Sequence, residues 1–163
     1  MRELAVELKQ LRMHGMASAW SDLVEQGGSA ALDSSRWLLE HLLQAETTDR
    51  AMRSVSHQMH TAKFPVHRDL AGFDFEASPV DRKLIHTLAE MTFTDAAYNA
   101  VLVGGPGTGK THLATAIGVA GITRHGRRVR FYSTVDLVNA LEQEKAQGKA
   151  GRIAASLLRM DLV

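Results

Sequence analysis

A glycine-rich stretch near the middle of the chain constrains the fold more strongly than any other feature. Residues 104–111 read GGPGTGKT and fit the spacing GxxxxGKS/T. In this pattern the glycines fold the backbone around an anion with several N–H groups turned inward, while the lysine and hydroxyl face the terminal phosphates and Mg²⁺. The sequence therefore predicts a nucleoside triphosphate as ligand, with a strand before the loop and a helix after it.

The sequences on both sides of the loop fit this requirement. Ala100–Val103 is a short apolar run with β-branched residues, which predicts a buried parallel strand. After the loop, apolar residues recur at helical spacing, namely Leu113, Ala114, Ile117 and Ala120. Arg128–Ser133 predicts a second strand, and Ser133 or Thr134 would cap the helix that follows. This order predicts an α/β fold with a parallel sheet and right-handed crossovers.

The glycines of the loop have predicted roles in its backbone. Gly104, Gly107 and Gly109 permit backbone angles or close approaches that a Cβ would hinder. Pro106 has no N–H to offer a phosphate and is expected to stiffen the turn. The predicted nucleotide-binding residues are Gly104, Gly105, Pro106, Gly107, Thr108, Gly109, Lys110, Thr111 and His112.

Three side chains at the end of the loop have predicted chemical roles. Lys110 is expected to reach the β- and γ-phosphates and is the predicted catalytic residue, and Thr111 is the predicted Mg²⁺ ligand. His112 has two open interpretations, a phosphate contact or packing beside the sheet. The structural alternative for the whole motif is an ordinary glycine-rich turn, and the lysine and hydroxyl together favour phosphate binding.

Before the loop the sequence predicts helices. Leu4, Leu8 and Leu11 form one apolar stripe, Gly27–Ser29 predicts a break, and a further helix is expected to begin near Asp33 or Ser34. After two prolines, Asp81 would cap or open a short helix. We therefore predict an all-helical N-terminal region over residues 1–66 and an α/β core over residues 67–163.

Composition excludes several classes of protein. The 163 residues include no cysteine, which rules out disulfides, thiolate metal sites and a cysteine nucleophile. The N-terminus carries acidic residues where a secretory signal would be apolar, and no segment approaches the length of a membrane span. We expect a cytoplasmic protein without membrane contact.

Basic residues concentrate in a stretch that has no acid between Ala51 and Arg68. Arg53, His57 and His60 fall on one helix face, a stripe able to meet DNA phosphates. The predicted DNA contacts are Arg50, Arg53, His57, His60 and Lys63. A second basic cluster comprises Arg124, His125, Arg127, Arg128 and Arg130. A solvated helix face or salt bridges would explain either cluster equally well from charge alone.

Several short motifs occur in a characteristic order along the chain. Besides the loop and the His112-Leu113-Ala114 that follows it, they are Ala62–Pro65, Phe73–Phe75, Val129–Phe131 and Asp136–Leu141. Over nearly its whole length the chain resembles the IstB-like transposition helper ATPases, AAA+ relatives of the DnaC helicase loaders. The resemblance implies a P-loop AAA+ core that uses ATP and Mg²⁺. It also implies oligomers on double-stranded DNA and a transposase of the same element as partner.

The same resemblance sets an expectation for hydrolysis. Asp161-Leu162-Val163 matches the start of the strand that ends in the Walker B acids of that family. We therefore expect the sheet to be incomplete at the C-terminus, with the Walker B acids, sensors and arginine finger beyond Val163 and no hydrolysis by this chain alone. The alternatives are a helicase loader, a P-loop nucleotide or small-molecule kinase, and a non-catalytic binding fragment.

Overall fold

The computed structural model describes residues 4–25 and 30–163, and helices dominate both ranges. The helices of these ranges are α1 (Leu4–Gln10), α2 (His14–Glu25), α3 (Ala30–Ala62), α4 (Arg82–Ala89), α5 (Thr92–Asp95), α6 (Lys110–His125), α7 (Thr134–Ala146) and α8 (Arg152–Leu157). The break predicted at Gly27–Ser29 lies outside the described residues. The helix predicted from Asp33 or Ser34 begins earlier, at Ala30.

The chain divides into two compact units between Ser54 and Val55, inside α3. In the first unit the predicted leucine stripe is confirmed, because Leu4 and Leu8 are each 2% exposed and pack with Leu11, Ala17 and Leu43. The boundary predicted after residue 66 separates regions of different function, which the division into compact units does not test, so it stays a prediction.

The core of the second unit forms around α6. On one side Leu113, Ala116 and Ala120 pack with Leu70, Ile85 and Ala89. Another cluster joins Ile122 to Ala62 and Val129. A Cβ at Gly118 would lie 2.9 Å from the Phe64 ring, so the absence of a side chain lets that ring approach α6. The helix predicted after the glycine-rich loop is confirmed as a buried element of this core.

The predicted helix caps are also present. An Asp81 carboxylate oxygen accepts the backbone N–H of Lys83 at 2.8 Å, and the Ser133 hydroxyl accepts that of Asp136 at 3.4 Å. Glu144, 8% exposed, accepts the backbone N–H groups of Arg152 and Ile153 at the start of α8. These bonds satisfy donors that a helix N-terminus leaves without intrahelical partners.

The predicted parallel sheet is not formed among the described residues. Residues 100–103 are not a strand, and Val101 and Val103 are 81% and 91% exposed, so the prediction of a buried strand is wrong there. Residues 128–133 contribute a single parallel bridge, Val129 to Leu162. A strand is held by hydrogen bonds to neighbouring strands, and within the described chain the backbone of residues 100–103 has no such partner.

An ion pair flanks that parallel bridge, in which the Arg130 N–H donates to the Leu162 carbonyl and the Leu162 N–H to the Arg128 carbonyl. Asp161 Oδ2 accepts the backbone N–H of Arg128 at 2.7 Å and its Nε–H at 3.2 Å, while Asp161 Oδ1 accepts from the same guanidinium at 3.1 Å. The guanidinium hydrogen bond lowers the pKa of the Asp161 carboxyl, and partial burial opposes the shift. The same interaction raises the pKa of Arg128.

Asp161→Asn should lower stability at neutral pH and remove part of the acid sensitivity of unfolding. Because the folded state lowers the pKa of Asp161, the ion pair contributes stability above the ordinary Asp pKa of about 3.9 and loses it as pH falls through the folded-state value. Urea midpoints measured at neutral and at acid pH should therefore differ less for Asp161→Asn than for wild type. Glu142→Gln, which removes an exposed acid beyond the first turn of α7, is the control. Parallel pH curves for wild type and Asp161→Asn would contradict the prediction.

Candidate nucleotide-binding site

The glycine-rich loop lies directly before α6 and adopts backbone angles that suit glycine. Gly107 and Gly109 have φ of 75° and 85°, in the left-handed region that residues with a Cβ rarely enter. Gly109 is the N-cap of α6, and Lys110 is its first residue. The loop therefore turns the chain into the helix at the position that the sequence predicts.

A row of backbone donors is available at this turn. The first intrahelical bond runs from the Leu113 N–H to the Gly109 carbonyl at 2.9 Å, and Gly109 brings no side-chain cap. Within the described chain, the backbone N–H groups of Gly107 and of residues 109–112 have no hydrogen-bond acceptor, while Thr108 closes a turn that begins at Gly105. Free N–H groups and the helix dipole favour an anion at a helix N-terminus. The arrangement suits a phosphate group.

The Lys110 ammonium lies across the loop. Its Nζ donates to the Gly105 carbonyl and, at 3.3 Å, to the Thr108 hydroxyl, which itself donates to the Gly105 carbonyl at 2.9 Å. A Cβ at Gly104 would lie 2.9 Å from the Thr108 hydroxyl oxygen. The lysine charge is thus held over the same loop whose N–H groups are free.

Thr111 fits the predicted metal-ligand role in one respect. The residue is exposed, and in the described parts of the chain its hydroxyl has no hydrogen-bond partner. Among those residues, no three His, Cys, Asp or Glu side chains come together as a metal site. The carboxylates of Glu144 and Asp161 are occupied elsewhere, by the α8 N-terminus and by Arg128.

His112 contacts neither the loop nor a sheet. Its Nε2 lies 3.0 Å from the Asp69 carbonyl oxygen, and its ring meets the Phe73 ring edge-on at 5.2 Å between centroids. The side chain therefore packs on the segment that precedes α4, while its backbone N–H remains among the free donors. The pattern of apolar residues gave no signal for this contact, because Asp69 is 43 residues earlier in the chain.

In the first unit, the two arginines among the predicted DNA contacts are engaged in ion pairs. Arg50 pairs with Glu46 and donates to the Leu11 carbonyl at 3.0 Å. Arg53 pairs with Asp49 at 2.7 Å. These two arginines therefore form salt bridges, which was the alternative to a DNA contact.

In the second unit, His57, His60 and Lys63 are exposed, and their side chains have no partner among the described residues. In the second basic cluster two arginines form ion pairs, Arg127 with Asp95 and Arg128 with Asp161. His125 Nε2 lies 3.9 Å from a Glu90 carboxylate oxygen, and Arg124 is exposed without a partner among the described residues. Arg130 donates instead to the Thr61 carbonyl at 2.6 Å, in the last turn of α3. Exposed basic side chains without a partner among the described residues therefore remain at the end of α3 and, in the second cluster, at Arg124.

Comparison with known protein families shows which family includes this chain. Residues 6–163 match the family model described as IstB-like ATP binding protein. The chain belongs to this family. Membership implies a P-loop NTPase fold and nucleotide binding, and it confirms the resemblance seen in the sequence.

Three relatives are similar to this IstB-like protein over most of its length. A Geobacillus stearothermophilus protein named for insertion sequence IS5376 and ATP binding is 36% identical over 141 residues, 86% of this chain and 55% of the relative. A Pseudomonas aeruginosa protein named for insertion sequence IS21 and ATP binding is 34% identical over 153 residues, 93% and 57%. A Sinorhizobium fredii protein with a similar name is 30% identical over 162 residues, 98% and 54%. The chain spans little more than half the length of these relatives.

One further finding concerns membranes. In the described ranges, no helix of this IstB-like protein combines the length and the apolar character that crossing a bilayer requires.

Gly109→Ala should destabilise the second unit by about 1–3 kcal/mol, since an L residue at this φ is strained. The new Cβ would also lie 2.6 Å from the Phe73 ring. Thermal unfolding measures the loss of stability. Adding Phe73→Leu to the Gly109→Ala variant should recover the part of this loss that comes from the clash with the Phe73 ring. Gly105→Ala is the matched control, because its Cβ would meet nothing within 4 Å. Equal stability of the two alanine variants would contradict the prediction.

Proposed function

We propose that this IstB-like protein binds ATP with Mg²⁺ and acts as the ATP-binding helper of an insertion sequence. The observation that carries the proposal is the row of free N–H groups at the start of α6, beside a lysine held over the loop. The names of the relatives, which join insertion sequences to ATP binding, supply the setting. They support a transposition helper over a helicase loader or a kinase.

The proposed roles follow from the chemistry of each group. Backbone N–H groups of Gly107 and of residues 109–112 would bind the phosphate oxygens, and Lys110 would neutralise part of the negative charge. The Thr111 hydroxyl would contribute one oxygen ligand to Mg²⁺, a cation that usually keeps several waters and takes the remaining ligands from carboxylates and phosphates. Bound Mg²⁺ would shield the charge of the triphosphate.

Hydrolysis and assembly are proposed for the whole protein. A P-loop ATPase holds its Mg²⁺ with a further acid as well as with the loop hydroxyl, and Asp161 and Glu144 already have other partners here. We therefore assign ATP binding to the residues of this chain. In the whole protein, ATP binding would favour oligomers on double-stranded DNA in the cytoplasm, hydrolysis would reset them, and the transposase of the same element would be the partner.

Lys110→Ala should weaken ATP binding at least about tenfold, because it removes a charge-assisted contact to the phosphates. Titration calorimetry with ATP and Mg²⁺ measures the affinity, and thermal unfolding should stay unchanged. Lys83→Ala, which removes the same charge from the exposed face of α4, is the matched control and should bind as wild type does. Unchanged ATP affinity in Lys110→Ala would overturn the assignment of the loop. Phosphate transfer to a small acceptor would instead support the kinase alternative.

The proposed DNA contact uses the end of α3. His57 and His60 lie one turn apart, and Lys63 follows the last residue of the helix with a left-handed φ of 55°. Their side chains are exposed, have no partner in the described chain, and lie in an acid-free stretch of sequence. Contacts of this kind bind the DNA backbone without reading its sequence.

Changing His57, His60 and Lys63 together to Gln should weaken binding to a labelled DNA duplex. The logarithm of the binding constant should also fall less steeply with salt, by about one for each phosphate that the variant no longer neutralises. Fluorescence anisotropy across a salt series measures both quantities. Lys145→Gln, an exposed lysine on α7, is the control. An unchanged salt slope in the triple variant would rule out this surface as the DNA contact.

A further inference from the structure

The segment before α4 packs against the start of α6 and contacts the loop there. We infer that His112 and Phe73 are positioning residues: through them the segment 69–75 holds the glycine-rich loop in the conformation that binds a polyphosphate. The inference rests on the proposed nucleotide binding and adds to it two residues outside the GxxxxGKS/T pattern. We name residues 69–75 the brace segment.

The brace segment is itself fixed in place. Leu70 is 8% exposed and belongs to the same cluster as Leu113 and Ala116 of α6. An Asp69 carboxylate oxygen accepts the Gly72 N–H at 2.8 Å, and the Leu70 carbonyl accepts the Phe73 N–H at 3.3 Å. A turn with these bonds and a buried anchor offers a rigid surface to the neighbouring helix.

A hydrogen bond joins this surface to the first turn of α6. The Asp69 carbonyl can only accept, so His112 carries its proton on Nε2 and donates it over 3.0 Å. His112 is two residues beyond Lys110 and carries one of the free backbone N–H groups. The bond therefore restrains a residue that belongs to the proposed anion site.

The Phe73 ring makes a second contact, directly on the N-cap of α6. A Cβ built on Gly109 would lie 2.6 Å from Phe73 Cε2, so the ring lies against the bare glycine backbone. The same ring meets His112 at 5.2 Å and Phe75 at 4.9 Å. Phe73 thus contacts both the glycine with a left-handed φ and the histidine that binds the Asp69 carbonyl.

These contacts matter because a glycine loop has many alternative conformations. Free N–H groups bind an anion well only when they converge before the ligand arrives, since ordering them on binding costs affinity. Supporting contacts from neighbouring residues provide that order in binding sites generally. Loss of the contacts with the brace segment should then weaken the binding of every ligand that uses the N–H groups, whether or not the ligand carries a base.

Phe73 has a competing role that the experiment must separate. With Phe75, Arg82 and His86 it lines a cavity of about 440 Å³. Asp74 and Glu76 also line this cavity, and its aromatic and polar side chains would suit a nucleotide base. If base contact were the main role of Phe73, its removal would weaken ATP and leave inorganic tripolyphosphate unaffected.

The test compares ATP with inorganic tripolyphosphate, each with Mg²⁺, by titration calorimetry. His112→Leu and Phe73→Ala should each weaken both ligands by the same factor, about three- to tenfold. His112→Gln, which keeps an N–H donor near the position of Nε2, should restore most of the affinity. His125→Leu, the same change at the far end of α6, is the control and should bind both ligands as wild type does. Thermal unfolding shows which variants remain folded.

The outcomes separate this inference from the proposed function. The positioning role of the brace segment is overturned if the variants bind both ligands as tightly as wild type, or if they lose affinity for ATP alone. Failure of His112→Gln to recover affinity overturns the hydrogen-bond part. A wild-type chain that binds neither ligand overturns the proposed function and the inference together. A long-range nitrogen NMR spectrum of the wild type adds a readout without ligand, in which a proton on Nδ1 alone would overturn the His112 bond.

Discussion

Burial of α6 is the constraint on which the second unit depends. Both apolar clusters of that unit include residues of this helix, so its position is set by packing along its length. A helix fixed in this way presents its first N–H groups at a defined place, and here they have no acceptor in the described chain. Gly109 at the N-cap has no side chain that could accept hydrogen bonds from these N–H groups in place of an anion. Packing of the helix and exposure of its donors together produce the geometry on which the proposed anion site depends.

Charge pairing decides which of the basic residues remain available to a partner. Two arginines of the second basic cluster each face an acid, Arg127 with Asp95 and Arg128 with Asp161, whereas Arg124 has no partner in the described chain. Neutralised pairs on a surface contribute little to binding a polyanion, because their charge is already compensated. The ammonium of Lys110 and the side chains at the end of α3 are not compensated in this way. Basic side chains without an acid therefore remain at separate places on this unit, among them Lys110 in the loop and the end of α3.

Much of the helical structure and of the loop could be predicted because the signals are local. The α6 spacing, the Asp81 and Ser133 caps and the leucine stripe of α1 each depend on residues within a few positions of one another. That residues 100–103 form no strand could not be predicted from their apolar composition. Composition favours a strand, but pairing with a neighbour forms it, and these residues have no such neighbour in the described chain. The contact of His112 with Asp69 was equally out of reach, since no periodic pattern links residues so far apart.

The sequence by itself determined the loop, its lysine and hydroxyl, and the helix that starts at Lys110, because backbone freedom at glycine and helical periodicity act over short distances. Only the tertiary structure decided which charges were paired, which side the histidine faced, and that Phe73 lies on Gly109. Those outcomes depend on segments that meet in space after the chain has folded. The physical reason is that burial, ion pairing and close contact are set by neighbours in three dimensions, which spacing along the chain does not encode.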